Sequence, residues 1–266
     1  MLEYLAALFS APPTLGILAL FAALAALEAL APRRKLPNVP WWHVKGVAAL
    51  LVGIMISSSA PLLWDEWLSE HRLLDSRALG DLGGAVTGFL LYQFIVYIWH
   101  RAMHRFDFLW RWFHQMHHSI ERMDVIGALY GHPLDVAGFS LVTSLSLVGI
   151  LGVTATAAVI ASVAVTACSL FQHTNIRTPR ALGWVIQRPE AHALHHARGS
   201  HAQNYGDIAL FDMIFGTYRN PESYEGPTGF WDGASSQIVA MLAGRDVSNS
   251  PRPIWSPLSR RMEVVR

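Results

Sequence analysis

Eight histidines fall into three short clusters: His100 with His104, then His114, His117 and His118, then His192, His195 and His196. The two triplets share one spacing, HxxHH. On a helix, positions i, i+3 and i+4 share a face. The spacing therefore predicts three imidazoles on one side of each triplet and two from the doublet. Neutral imidazole ligates iron, zinc, copper and nickel alike. Zinc takes about four ligands, and about three from protein when it is catalytic. Eight imidazoles exceed one ion's needs, so two metals are expected, their identity left open by ligand type. A zincin protease would need the glutamate of HExxH, where this chain has Gln115 and Ala193. The Glu-x-x-His pattern of soluble di-iron bundles is not built by Glu121 or Glu190. The site is expected to be nearly carboxylate-free.

The elements that position these clusters must be largely apolar. Of 266 residues, 52% are hydrophobic and 15% charged, with a mean hydropathy of +0.30. A soluble domain is nearer about 25% charged, so lipid is expected as part of the solvent. The net charge of +1 gives no electrostatic bias toward nucleic acid, and no nucleic-acid-binding motif is present. The single cysteine, Cys168, excludes an intramolecular disulfide and a cysteine-held cluster within one chain.

Residues 1–11 carry Glu3 and no basic residue, unlike the start of a cleaved signal peptide. Residues 14–30 are an Ala/Leu-rich first crossing whose one charge, Glu28, is read as an interfacial side chain reaching toward water. Arg33, Arg34 and Lys35 with Trp41 and Trp42 mark a cytoplasmic interface. Residues 44–64 are a second crossing, 65–81 an acidic loop on the far side, and 82–99 a third crossing. Residues 134–171 are too long for one crossing and contain Gly149 and Gly152 mid-way, which predicts a helical hairpin. This arithmetic delivers all three histidine clusters to the cytoplasmic side. The proline-rich, basic stretch 250–266 reads as a loosely held tail.

The ordered series His100xxxHis104, His114xxHis117His118 and His192xxHis195His196 resembles the fatty acid hydroxylase/sterol desaturase superfamily of membrane di-iron enzymes. Gly131-His132-Pro133-Leu134-Asp135 is similar to that family's HP-x-E/D segment, and Phe171-Gln172-His173-Thr174-Asn175 to its FxHxN segment. Asn204-Tyr205-Gly206, Phe211-Asp212 and Phe215-Gly216-Thr217 resemble its closing signature, with Phe211 where tryptophan is more usual. The resemblance spans about residues 90 to 220.

The resemblance implies an all-α, integral-membrane helical bundle with a cytoplasmic, histidine-rich helical cap. It implies a catalytic domain over 82–220, while composition and hydropathy predict N-terminal transmembrane helices and linkers over 1–81 and a C-terminal cytoplasmic tail over 221–266. The cap would hold two iron ions, with zinc able to take their place in a purified sample. His173 is implied as a ninth ligand. His132 is either a ligand or a helix cap, and His201 either a site or a surface residue. His43 and His71 are read as surface residues. Metal-bound imidazoles donate their other N–H to an acceptor, for which Asp135, Glu190, Asp207 and Asp212 are the candidates, with Asp212 favoured. Asn175 and Asn204 are expected to orient ligands or water. Trp99, Trp110, Trp112 and Trp184 are expected as an aromatic belt, one of them lining a substrate entrance.

The chemistry so implied is iron- and dioxygen-dependent hydroxylation, or desaturation, of a lipid that enters sideways between the hairpin and the third crossing. The chain carries no GxGxxG, no HPGG and no second cysteine, so a separate electron donor is implied: a ferredoxin, a cytochrome b5 or a reductase. A bacterial inner membrane fits the sequence, with the endoplasmic reticulum also open. A rival reading is a non-catalytic membrane binder or transporter of zinc, copper or haem, and a second is a zinc-dependent hydrolase. A transporter would place ionisable groups mid-membrane, where these crossings have essentially none.

Overall fold

The computed structural model describes residues 7, 9–200 and 202–249. Five helices are long and apolar enough to cross a bilayer, and the chain is an integral membrane protein. These are α1 (Pro12–Leu30), α2 (Trp42–Ser59), α4 (Gly80–Arg105), α7 (Pro133–Ser144) and α8 (Ala155–His173). The short α3 (Asp65–Glu70) caps the end of the bundle away from the histidines, and a π-helical stretch, Leu145–Ile150, prolongs α7. The cap is built from α5 (Asp107–Leu109), α6 (Gln115–His118), α9 (Pro189–His195), α10 (Ala209–Ile214) and α11 (Ile238–Leu242). Among the described residues there is no strand, only the isolated bridges Ile186–Ile208 and Ala197–Thr228.

The expected hairpin is α7 and α8. It turns at Gly152, whose φ of +58° is left-handed and costs other residues strain. A Cβ there would also meet the Leu74 carbonyl oxygen at 2.5 Å. That carbonyl is fixed because Leu73, Leu74 and Ser76 donate their N–H groups to the carbonyls of Gly149, Ile150 and Leu151. Close packing of α4 on the hairpin depends on small residues, as is common between membrane helices. A Cβ on Gly84 would stand 3.0 Å from that of Ala157.

Helix α4 carries the first two ligand candidates out of the membrane. Its 26 residues span about 39 Å at roughly 1.5 Å per residue, against about 30 Å of hydrocarbon. The excess turns hold His100 and His104 inside the cap on the same rigid rod that crosses the lipid.

Several expectations are corrected by packing. Glu28 does not reach to water: it accepts the backbone N–H groups of Val125 and Asn175, both at 3.1 Å, and so staples α1 to the cap. Trp42 is buried, with its indole N–H on Asp124 at 3.0 Å, while Trp41 is exposed. Residues 221–249 are not a tail, since Phe230, Ala234, Met241 and Val247 share a core with Trp42, Met116, Ile120 and Tyr130. Residues 250–266 and His201 lie outside the described residues. His43 and His71 are exposed, as expected.

Replacing Gly152 by valine combines a strained φ with a backbone clash. A loss of at least about 2 kcal/mol is expected, read as a lower thermal unfolding midpoint in detergent. An unchanged midpoint would show that the tip is not rigid.

Candidate metal centre

Nine histidines converge, in two groups. His100, His104, His114, His118 and His195 form one, and His117, His173, His192 and His196 the other. Within each group the nitrogens that could ligate lie within 4.8 Å of one another. All but His104 are buried.

The two HxxHH triplets are divided crosswise. His114 and His118 enter the five-membered group while His117 enters the other; His192 and His196 enter the four-membered group while His195 crosses back. Helix geometry explains the split. At roughly 100° per residue, position i+3 lies about 60° to one side of i, and i+4 about 40° to the other. One face is thus wide enough to serve two adjoining sites. The groups meet where the His118 and His196 rings stack, 4.1 Å between centroids and 10° from parallel. A π-helical turn, Trp110–His114, widens the backbone just before the first triplet and sets the aim of His114.

The outward nitrogens fix the inward ones. Nδ1 of His100 faces the Tyr205 carbonyl at 2.6 Å, that of His195 the Gln203 carbonyl at 2.6 Å, and that of His173 the Ser169 carbonyl at 2.7 Å. His117 Nδ1 faces the Tyr130 carbonyl at 3.3 Å, and His114 Nδ1 the Asp135 carboxylate at 3.1 Å. A carbonyl only accepts, so in His100, His117, His173 and His195 Nδ1 carries the proton and Nε2 a lone pair; an ionised Asp135 sets His114 the same way. Yet Nε2 of His100 stands 2.9 Å from that of His114 and 3.1 Å from that of His195. His117 and His173 Nε2 are likewise 3.0 Å apart. Lone pair faces lone pair with no proton to share, and only a cation between them makes that arrangement favourable. His196 has both ring nitrogens buried with no hydrogen-bond partner.

Protonation does not relieve this. Burial, reinforced by the neighbouring His114, pushes His117 down to about 3. Burial first and adjacent imidazoles second also hold His118, His192 and His196 well below the usual histidine range. The rings stay neutral, the form that binds metal. The residues present therefore fit a pair of metal ions.

The supporting residues fall differently from expectation. Asp135 touches a histidine, His114. Asp212 touches none: it accepts from the N–H groups of Tyr205 at 2.9 Å and Gly206 at 2.7 Å and from the Thr217 hydroxyl at 2.7 Å, so it fixes the loop whose Tyr205 carbonyl receives His100. Asn204, left-handed at φ 59°, ties α9 to the following loop through the Ala191 and Arg219 carbonyls. Asn175 binds the Arg34 backbone, and Glu190 binds Thr178 and Arg188. Asp207 accepts from Gln93 at 3.0 Å and Gln172 at 3.1 Å. His132 is outside both groups; its Nδ1 accepts the Leu134 N–H at 3.1 Å and caps α7. Trp110 leaves the expected belt and packs on His104 and His118 at 5.2 and 5.4 Å. Trp99 packs edge-on against Phe113, while Trp184 is exposed. The acceptors that set the tautomers are mostly main-chain carbonyls, which residue type does not announce. Gln93, a lone amide in an apolar crossing, was the one visible signal for the Asp207 contact.

A cavity of about 710 Å³ runs from the histidines into the bundle. His100, His114, His117, His173 and His192 border its inner end. Phe21 of α1, Ile54 of α2, Phe139 of α7 and Ser162 of α8 also line it. Its lining thus draws on α1 and α2 as well as on Tyr92 and Val96 of α4 and on both arms of the hairpin.

A family model described as fatty acid hydroxylase matches residues 85–217. The ornithine lipid hydroxylase OlsE of Rhizobium tropici is 28% identical over 140 residues, which is 51% of this chain and 42% of that protein. The fatty acid hydroxylase vlmA of a Lecanicillium species is 30% identical over 179 residues, 61% of this chain and 45% of that protein. The chain spans under half the length of these relatives. No solved structure matches it. With its histidine series inside the matched region, the chain belongs to the fatty acid hydroxylase family.

Proposed function

We propose that this protein is a membrane di-iron oxygenase that hydroxylates an acyl lipid, using dioxygen and electrons from a separate donor. The observation that carries the reading is the opposition of neutral Nε2 atoms at about 3 Å in two adjoining groups. With metal–nitrogen bonds of about 2.1 Å, that separation corresponds to ligands near right angles, whereas a tetrahedral ion would space them at about 3.4 Å. A five-imidazole group also exceeds what tetrahedral zinc takes. Both points favour iron over tetrahedral zinc as the ion these histidines would hold.

Bound iron would supply dioxygen activation and oxidation of a C–H bond. The chain's own part is to aim nine imidazoles, keep them neutral and exclude water. The apolar cavity would hold an acyl chain with its target carbon beside the histidines. The names of the two relatives support an acyl lipid as the substrate class. An electron donor would have to approach the cap from outside the bilayer. Hydroxylation is the outcome favoured over desaturation, again on the relatives' names. The cavity argues against the metal-carrier reading, because an ion pathway would not be lined mainly by apolar side chains.

The decisive assay supplies iron-loaded protein, a reductase system and ornithine-lipid or fatty-acyl substrates under labelled dioxygen. Hydroxylated product containing one labelled oxygen is expected; label arriving only from water would refute the proposal.

Metal analysis tests the crosswise division. The wild type should hold about two ions per chain. His117→Ala with His192→Ala removes two ligands of one group and should leave about one ion. His192→Ala with His195→Ala takes one ligand from each group and should reduce both occupancies. Equal losses in the two double variants would contradict the division.

Acid should act through the same rings. The folded chain holds His117 near 3, while an unfolded histidine titrates at about 6.5. Between these values the unfolded chain binds more protons, so stability falls as pH drops below about 6.5. Metal-stripped protein is expected to lose thermal stability steadily from pH 7 to pH 4, and metal-loaded protein to resist over the upper part of that range. A flat profile for the stripped protein would contradict buried, neutral rings.

A further inference from the structure

A second cavity, of about 340 Å³, lies away from the histidines where the linker after α1 crosses the cap. Four arginines wall it: Arg33, Arg177, Arg180 and Arg188. The backbone places Arg33 firmly. Its N–H donates to the Asn175 carbonyl at 2.7 Å, and the Asn175 amide donates to the Arg34 carbonyl at 2.8 Å. Nε, Nη1 and Nη2 of Arg33 are all buried, and none has a hydrogen-bond acceptor among the described residues. A guanidinium has five donors and does not lose its charge in a protein. Glu190 and Glu225 attract it through space but accept no hydrogen bond from it, so its buried donors are left for an acceptor that the chain itself does not supply.

The other charged groups of the wall do not meet that need. Glu190 already accepts from the Thr178 N–H at 2.8 Å, the Thr178 hydroxyl at 2.7 Å and Arg188 at 3.1 Å. Arg188 is committed to Thr178, Asn220 and the Pro221 carbonyl. Glu222 and Glu225 are exposed. Four guanidiniums against these three carboxylates leave the wall one positive charge in excess.

We propose that this cavity seats a phosphate group, with Arg33 as its principal donor, carried either by a phospholipid headgroup or by a soluble phosphate. Planar guanidinium forks match phosphate oxygens in pairs. The place suits a headgroup: Arg33 stands just beyond the end of α1 at Leu30, and Arg180 is two residues from Leu182 in a stretch whose Trp184 and Val185 are exposed.

Thermal unfolding of the full-length, metal-loaded protein in detergent tests this at matched ionic strength. The probes are inorganic phosphate, dioctanoyl phosphatidylglycerol and phosphate-free dioctanoylglycerol. A midpoint rise with at least one phosphate-bearing probe and none with dioctanoylglycerol is expected. A rise with phosphatidylglycerol alone assigns a lipid source, and a rise with inorganic phosphate a soluble one. Arg33→Gln should weaken the effect at least about tenfold with metal content intact, while Arg33→Lys retains part of it. Should Arg33→Gln not fold, Arg177→Gln with Arg180→Gln on the exposed rim should weaken it several-fold. No shift with either phosphate probe, an equal shift with dioctanoylglycerol, or an undiminished shift in the arginine variants would overturn the proposal.

Discussion

Buried neutral imidazoles, lone pair against lone pair, are the constraint on which the rest of this structure depends. In His100, His117, His173 and His195 the outward N–H is held by a fixed carbonyl, so the inward nitrogen cannot become a donor. Burial keeps the rings from escaping by protonation. The remaining means of reconciling them is a cation, and the division into five and four provides for two. The same acceptors that orient the rings also make them better ligands.

The membrane helices serve this arrangement directly. Helix α4 outruns the bilayer and carries His100 and His104 on its last turns. Helix α8 ends at His173, which completes the smaller group. Glu28 and Trp42 fasten the first two crossings to the cap, so the cavity wall is hydrogen-bonded directly to the segments that carry the ligand cage. Asp212, whose hydrogen bonds go to Tyr205, Gly206 and Thr217, holds the loop that presents the Tyr205 carbonyl. Removing that carboxylate would loosen a ligand without touching a metal.

Much of this was legible in the amino acids. Apolar runs located the first three long helices, Gly149 and Gly152 located the hairpin, and the spacing of the histidines located the candidate centre. Other features were not, for physical reasons. Crosswise sharing of the triplets arises from the divergence of i+3 and i+4 around a helix, which spacing alone does not assign to one site or two. Four of the five orienting acceptors are main-chain carbonyls, present at every residue and announced by none. Phe230, Met241 and Val247 are scattered apolar residues without helical period, and their place in the cap core depends on distant Trp42 and Met116. Asn175 lies in a motif beside His173, yet its side chain faces the Arg34 backbone instead.

The central claim is that two separate ions sit among these rings. Anomalous scattering at the iron edge from crystals of iron-loaded protein examines it most directly. The account predicts two peaks, one inside the group of His100, His104, His114, His118 and His195 and one inside that of His117, His173, His192 and His196. A single peak, or iron bound elsewhere with both histidine groups empty, would contradict it.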